Sequence, residues 1–175
     1  MSVSSGKVLA RRMDDEVCFL VIGHANAHLS PGLRQYAEGA LSSGIRTILI
    51  DLRDCKHCDS TFVGTLLRLK HTVAATASSL QLVRPSAEVR TILAHMGAQN
   101  LFEIVEKMPA HGGDDMTWQE LADDDGRTAS SRFKRNAMEA HQALAGVGGE
   151  LAARFGAVAE AMQQELTASE VKRNQ

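Results

Sequence analysis

The chain of 175 residues lacks a long apolar run, a charge imbalance and a paired set of cysteines, and each absence removes a class of protein. Its longest unbroken apolar stretch, Val17-Cys18-Phe19-Leu20-Val21-Ile22, falls far short of the roughly 20 residues that a membrane-spanning helix requires. Met1-Ser2-Val3-Ser4-Ser5-Gly6-Lys7 has no apolar signal core. With 19 basic and 21 acidic residues the net charge is -2, too even a balance for a nucleic-acid binder. Three cysteines, an odd number, without an export signal point to reduced thiols and a cytoplasmic setting. Catalytic patterns are missing too: there is no Ser-His-Asp order, HExxH, Walker loop or paired-carboxylate motif, and the seven histidines are scattered. A protein that is not an enzyme, with no metal and no cofactor, is expected.

What is present alternates. Val17 to Ile22, bounded by acidic residues and Gly23, reads as a buried strand. Ser30-Pro31 supplies an N-cap and a proline at the first helical position, Leu33, Tyr36, Ala37, Ala40 and Leu41 follow at helical spacing, and Gly44 ends that helix. Ile45 to Leu52 is a second strand, apolar nearly throughout as in a strand covered on both faces. A helix with Val63, Leu66, Leu67 and Ala74 on one face comes next, with Arg68 and His71 off it. Residues 80–85 give a short strand, Ser86 caps a helix carrying Val89, Ile92, Leu93 and Met96, and residues 101–106 add a last strand. Such alternation predicts a small α/β domain with helices packed on a mostly parallel sheet.

Pro109 to Asp115 reads as a linker, and Thr117-Trp118-Gln119-Glu120 has the form of a helix capping box. From Phe133 on, Ala137, Ala140, Leu144, Val147, Leu151, Phe155, Val158, Met162 and Leu166 continue a helical stripe in steps of three or four. Gly148-Gly149 interrupts it at a cost of roughly 2 kcal/mol relative to two alanines. That predicts two helices folded back at the glycines, or one kinked helix. Its aliphatic side chains, each contributing roughly 1.5–3 kcal/mol when buried, must meet either the sheet domain or a second copy. A homodimer through residues 130–168 is the expectation.

Residues 54–61, Asp-Cys-Lys-His-Cys-Asp-Ser-Thr, hold two candidate chemistries. Cys55 and Cys58 form a CxxC, yet Asp59 beside Cys58 would raise its pKa rather than activate it. A zinc site would need ligands that no second CxxC or His pair provides. The thiols read as buried apolar side chains, with a thiol-redox protein as the weaker alternative. Asp59 is a good N-cap, which would put Ser60 in the first turn of the following helix. There the unpaired N–H groups and the positive dipole end would stabilise a phosphate on the hydroxyl.

The stretch "IDLRDCKHCDSTFVGTLLRL" resembles the core of STAS domains, the family of anti-sigma-factor antagonists. Asp51-Leu52 end its strand, Cys55 and Cys58 occupy its two apolar positions, and Asp59-Ser60-Thr61 match its switch motif. Val63 matches the next apolar position and Gly64 the second glycine. The resemblance runs from about Val8 to Val105, taking in "GHANAHLSPGL" and "RPSAEVRTILAHMGAQNLFEI". It implies a STAS domain over 1–112, a small mixed sheet with packed helices, followed by a linker and helical extension over 113–175. It further implies that Ser60, or else Thr61, is phosphorylated by an anti-sigma serine kinase of the ATP-binding type and released by a PP2C-type phosphatase. The partner face would include Asn26, Asp59, Thr61, Phe62 and Val63. Phe62 stands where many members have glycine, and would crowd a kinase or add an apolar contact. Asn26 stands where many have aspartate, which removes a charge. The expected function is thus a bacterial anti-sigma-factor antagonist, a phosphoprotein in transcription regulation and signal transduction. The alternative is a non-phosphorylated STAS scaffold subunit of a signalling complex or a transporter accessory.

Overall fold

The computed structural model describes residues 6–108, 117–121 and 131–173. Six strands form one sheet: β1 (Lys7–Met13), β2 (Glu16–Ala25), β3 (Thr47–Cys58), β4 (Ser79–Val83), β5 (Glu103–Val105) and β6 (Gln119–Glu120), in the order β5-β4-β3-β2-β1-β6. β2 to β5 run parallel, whereas β1 is antiparallel to both β2 and β6. The crossovers are α1 (Ser30–Ser42), α2 (Ser60–Ala75) and α3 (Ala87–His95). Because β2 to β5 are laid down side by side without reversing direction, right-handed crossovers put all three helices on one face.

The strand residues divide accordingly. Val17, Phe19, Val21, Ile48, Ile50, Leu52, Leu80 and Leu82 join the helices in the main core. Cys18, Leu49 and Val83 point to the other face, which Met108, Trp118 and Val105 cover. Arg11 lies over the Trp118 ring, 5.0 Å from its centroid.

The N-terminal hairpin is an element that periodicity did not reveal. Asp14-Asp15 turn the chain between Met13 and Glu16, with Asp14 at φ +38. The capping box expected at Thr117–Glu120 does not form. Those residues lie extended and β6 pairs with Leu9 and Ala10, so the sheet takes in residues beyond 112. A two-residue strand on an edge has no period to recognise. The linker expected at Pro109–Asp115 lies outside the described residues. In α2 the buried position near the end is Val73, while Ala74 is exposed.

The extension is a hairpin of α4 (Ser131–Gly146) and α5 (Gly149–Arg173). Gly148 and Gly149 take φ +87 and +56, left-handed conformations that only glycine adopts readily, and this explains why the stripe breaks there. Lys134–Glu165 and Arg135–Glu170 ion pairs hold the two helices antiparallel. The stripe does not face solvent. Leu144, Leu151 and Phe155 are buried in the core shared with α1 and α2, so the hairpin forms a third layer over the helices. Val147 and Val158 alone depart from the expected pattern and stay exposed.

Candidate functional site

β3 runs six residues past Leu52, to Cys58, where a loop was expected. Two extra residues in β3 make this possible. Leu20 pairs with Asp51 but Ile22 with Asp54, and Gly23 pairs with Cys55 but His24 with His57. Each bulge shifts the strand's two-residue alternation by one. Leu52, Cys55 and Cys58, three apart, therefore all turn into the same core, where a regular strand would have sent Cys55 to the opposite face.

This fixes the role of the thiols. Cys18, Cys55 and Cys58 are free and buried. Burial pushes Cys58 up to about 12, with Cys55 and Asp59 adding to the rise. Cys18 is pushed to about 12 by burial and then by Asp51, and Cys55 is raised by burial. Cys55 Sγ donates to the His57 carbonyl at 3.2 Å. Among the described residues no group of three His, Cys, Asp or Glu side chains could hold a metal. A thiol reagent at pH 8 should label none of the three in the native protein and all three in denaturant. The stability these thiols contribute is whole below their ordinary value of 9.0 and is lost as pH climbs toward 12. Cys55→Ala with Cys58→Val should cost under about 1.5 kcal/mol by urea denaturation and weaken this alkaline loss.

Asp59 organises the end of the sheet. One carboxylate oxygen accepts from the Phe62 N–H at 2.8 Å, capping α2 as the sequence predicts. The other accepts from the Ala27 N–H at 2.9 Å, tying the β2–α1 loop to the start of α2. Asn26 shapes that loop. Its Oδ1 accepts from the N–H groups of His28 and Leu29 at 3.0 and 3.3 Å. Ser30 is accordingly not the N-cap of α1. It lies within the helix, and its hydroxyl donates to the Asn26 carbonyl at 3.0 Å.

Ser60 is the first residue of α2. At about 100° per residue, Ser60, Gly64 and Arg68 share one helix face with Thr61 and Thr65, while Phe62, Leu66, Leu69 and Val73 share the opposite one. The first face meets α4 and the second meets the sheet. Phe62 is 0% exposed in the main core, so it neither crowds a docking surface nor offers a contact on one. Its ring fills space beneath α2. Val63 is also fully buried and Thr61 nearly so. Of the five residues expected at a partner face, Asn26 and Asp59 are partly exposed, and the other three are not.

The Ser60 hydroxyl is not open either. It lies 3.0 Å from His141 Nε2. His141 Nδ1 is 2.8 Å from the Ala137 carbonyl, an acceptor, so in the neutral ring Nδ1 carries the proton and Nε2 accepts from Ser60. Arg34 on α1 and Arg68 on α2 both bind Glu139, Arg34 at 2.8 Å. His28 stacks on Phe133 with centroids 5.1 Å apart. Of these α4 partners Phe133 was named from the sequence, as the start of the helical stripe, whereas Glu139 and His141 were not. His141 sits on the apolar stripe four residues after Ala137, and only the packed hairpin shows what it meets.

Comparison with known proteins agrees with this architecture. The family model described as "Mlab, STAS domain" matches residues 10–106, more than half of the chain. Among curated proteins no sequence matches. Of solved structures, the anti-sigma factor antagonist SpoIIAA of Bacillus in its unphosphorylated form is similar over 57% of this chain and 89% of its own. Its TM-score is 0.50 and its identity 20%. An anti-sigma factor antagonist from Mycobacterium paratuberculosis is similar over 59% of this chain and 88% of its own, with TM-score 0.51 and 16% identity. The matched span covers β2 to β5 and stops short of the α4–α5 hairpin, and the chain belongs to the STAS domain family.

Proposed function

We propose that the protein is an anti-sigma-factor antagonist, a non-enzymatic interaction module switched by phosphorylation of Ser60. The observation that carries this reading is the place of Ser60. It opens α2 on the face turned away from the sheet, beside a loop that Asp59 pins to the helix start. A phosphate there would meet the N–H groups and dipole of the helix N-terminus. It would add about -1.5 to -2 charges to the partner face. Thr61 is the poorer acceptor, since it is nearly buried.

The modifying partner would be an anti-sigma serine kinase of the ATP-binding type, with a PP2C-type phosphatase to reverse it, in a cytoplasmic setting that suits three reduced thiols. A homodimer through residues 130–168 would use what the hairpin leaves outside, Val147 and Val158. Intact mass of the full chain after incubation with kinase and ATP should show one added phosphate, absent in Ser60→Ala. No gain with a kinase that binds the protein would end the switch reading. A second reading, a scaffold STAS subunit that is never phosphorylated, is favoured by the engagement of the Ser60 hydroxyl with His141.

A further inference from the structure

The face around Ser60 already has an occupant. Its helix, α4, makes a graded set of contacts with α1 and α2. Phe133 stacks on His28, Asn136 donates to Thr65 Oγ1 at 3.4 Å, Glu139 joins Arg34 and Arg68, and His141 holds the Ser60 hydroxyl. Where the helices cross, the backbones touch. A Cβ on Gly64 would lie 2.3 Å from the carbonyl oxygen of Ala140, so glycine is the residue that lets α4 approach.

Near Ser60 the contact is made from polar and small side chains, and it is imperfect. Asn136 is 1% exposed, yet its Oδ1 has no hydrogen-bond partner among the described residues. Such an atom weakens the docked state relative to one in which water can reach it. The large apolar side chains of the hairpin lie one turn further along α4, at Leu144, and on α5, at Leu151 and at Phe155, whose ring centroid is 5.8 Å from that of His141.

We infer that α4 is an intramolecular competitor for the partner face, and that the hairpin must undock before anything else can reach Ser60. This rests on the switch proposed above and adds a gate to it. Ser60 is only partly exposed and its hydroxyl lies against His141, a buried residue, so a kinase cannot enclose it while α4 is docked. Docked α4 also describes what can replace it. The external partner element is a helix with a small residue at the Gly64 crossing, a carboxylate one position before it for Arg34 and Arg68, and an aromatic ring two turns earlier for His28. Glu139-Ala140 and Phe133 supply that pattern in the closed chain.

The gate can be measured without a kinase, so a closed gate and an unphosphorylated serine are separate results. Ser60→Cys in the full chain places a thiol under α4, while the three native thiols are buried and silent. Labelling by a maleimide is followed by intact mass, alone and in two backgrounds. Glu139→Arg puts a third cation beside Arg34 and Arg68. Gly64→Ala drives a methyl into the Ala140 backbone while giving α2 a better helix former. Both backgrounds should label at least tenfold faster than Ser60→Cys alone, with the native thiols still unlabelled as proof of fold. If Gly64→Ala also exposes the native thiols, Glu139→Arg decides. Fast labelling of Ser60→Cys alone, at the rate of the denatured chain, would overturn the inference. So would an unchanged slow rate in the deciding background.

Discussion

Arg84→Met should destabilise the protein by about 3 kcal/mol, at the low end of the range for stripping one partner from a buried ion pair. Asp51, in the middle of β3, is 1% exposed. One carboxylate oxygen accepts from Arg84 Nη2 at 2.6 Å. The other accepts from the Arg53 N–H at 3.2 Å. Arg53 Nε remains 3.6 Å away, which is why the low end is expected.

Arg84 has a second oddity, a backbone φ of +46, in the left-handed region that costs non-glycine residues about 1–3 kcal/mol. Arg84→Gly loses the same ion pair but relieves the backbone, so it should be less destabilised than Arg84→Met by about 1 kcal/mol. Asp51→Leu with Arg84→Met removes both charges and should recover most of the loss, because replacing a buried pair by apolar residues is often nearly neutral. Urea denaturation of the three variants checks this. A stability equal to wild type for Arg84→Met would show that Arg53 alone compensates Asp51.

The order of the central elements was legible because their signals are local. Val17 to Ile22 is an unbroken apolar run and Ile45 to Leu52 is apolar at most positions, as parallel strands buried on both sides should be. Asp59 and Ser86 are both true caps, each accepting from the N–H three residues on. The glycine pair in the extension left two helices folded back or one kinked helix, and the hairpin is the first of these.

What failed to show was non-local. The end of β3 was hidden because two bulges turn a period of two into a period of three across Leu52, Cys55 and Cys58. The same bulges explain how a CxxC can be plain core. β6 was hidden because Thr-x-x-Glu carries a cap signal and two residues carry no strand signal. The site was half legible. Asp59 and Ser60 stand where the motif puts them, but Phe62 faces the sheet. The cover over Ser60 is set by residues 71 to 81 positions away in the chain, and no spacing rule reaches that far.

Against a cognate anti-sigma kinase, Ser60→Asp should bind at least tenfold more weakly than wild type, about 1.4 kcal/mol, while Ser60→Ala should bind at least as tightly. The two substitutions act on two terms. Ser60→Ala removes one hydrogen bond to His141, a net loss of about 0.5–1.5 kcal/mol from the docked hairpin. An apparent dissociation constant falls as the competent fraction rises, so a looser hairpin can only help the partner. Ser60→Asp also removes the hydroxyl that meets His141 and sets a second carboxylate next to Asp59, which loosens the hairpin as well. The helix N-terminus offsets part of that, by about 0.3–1 kcal/mol, so the sheet domain should remain folded. Opening favours the partner, whereas the added charge on the packed face opposes it by repulsion and desolvation. Glu139→Arg separates the two. With the hairpin already released, Ser60→Asp should show the repulsion undiluted, and its penalty should grow relative to the native background. Titration calorimetry of Ser60, Ser60→Ala and Ser60→Asp in both backgrounds gives all of these values. Equal affinities throughout, with no phosphate gained on Ser60 under ATP, would make the protein a scaffold whose hairpin is a fixed part of its fold.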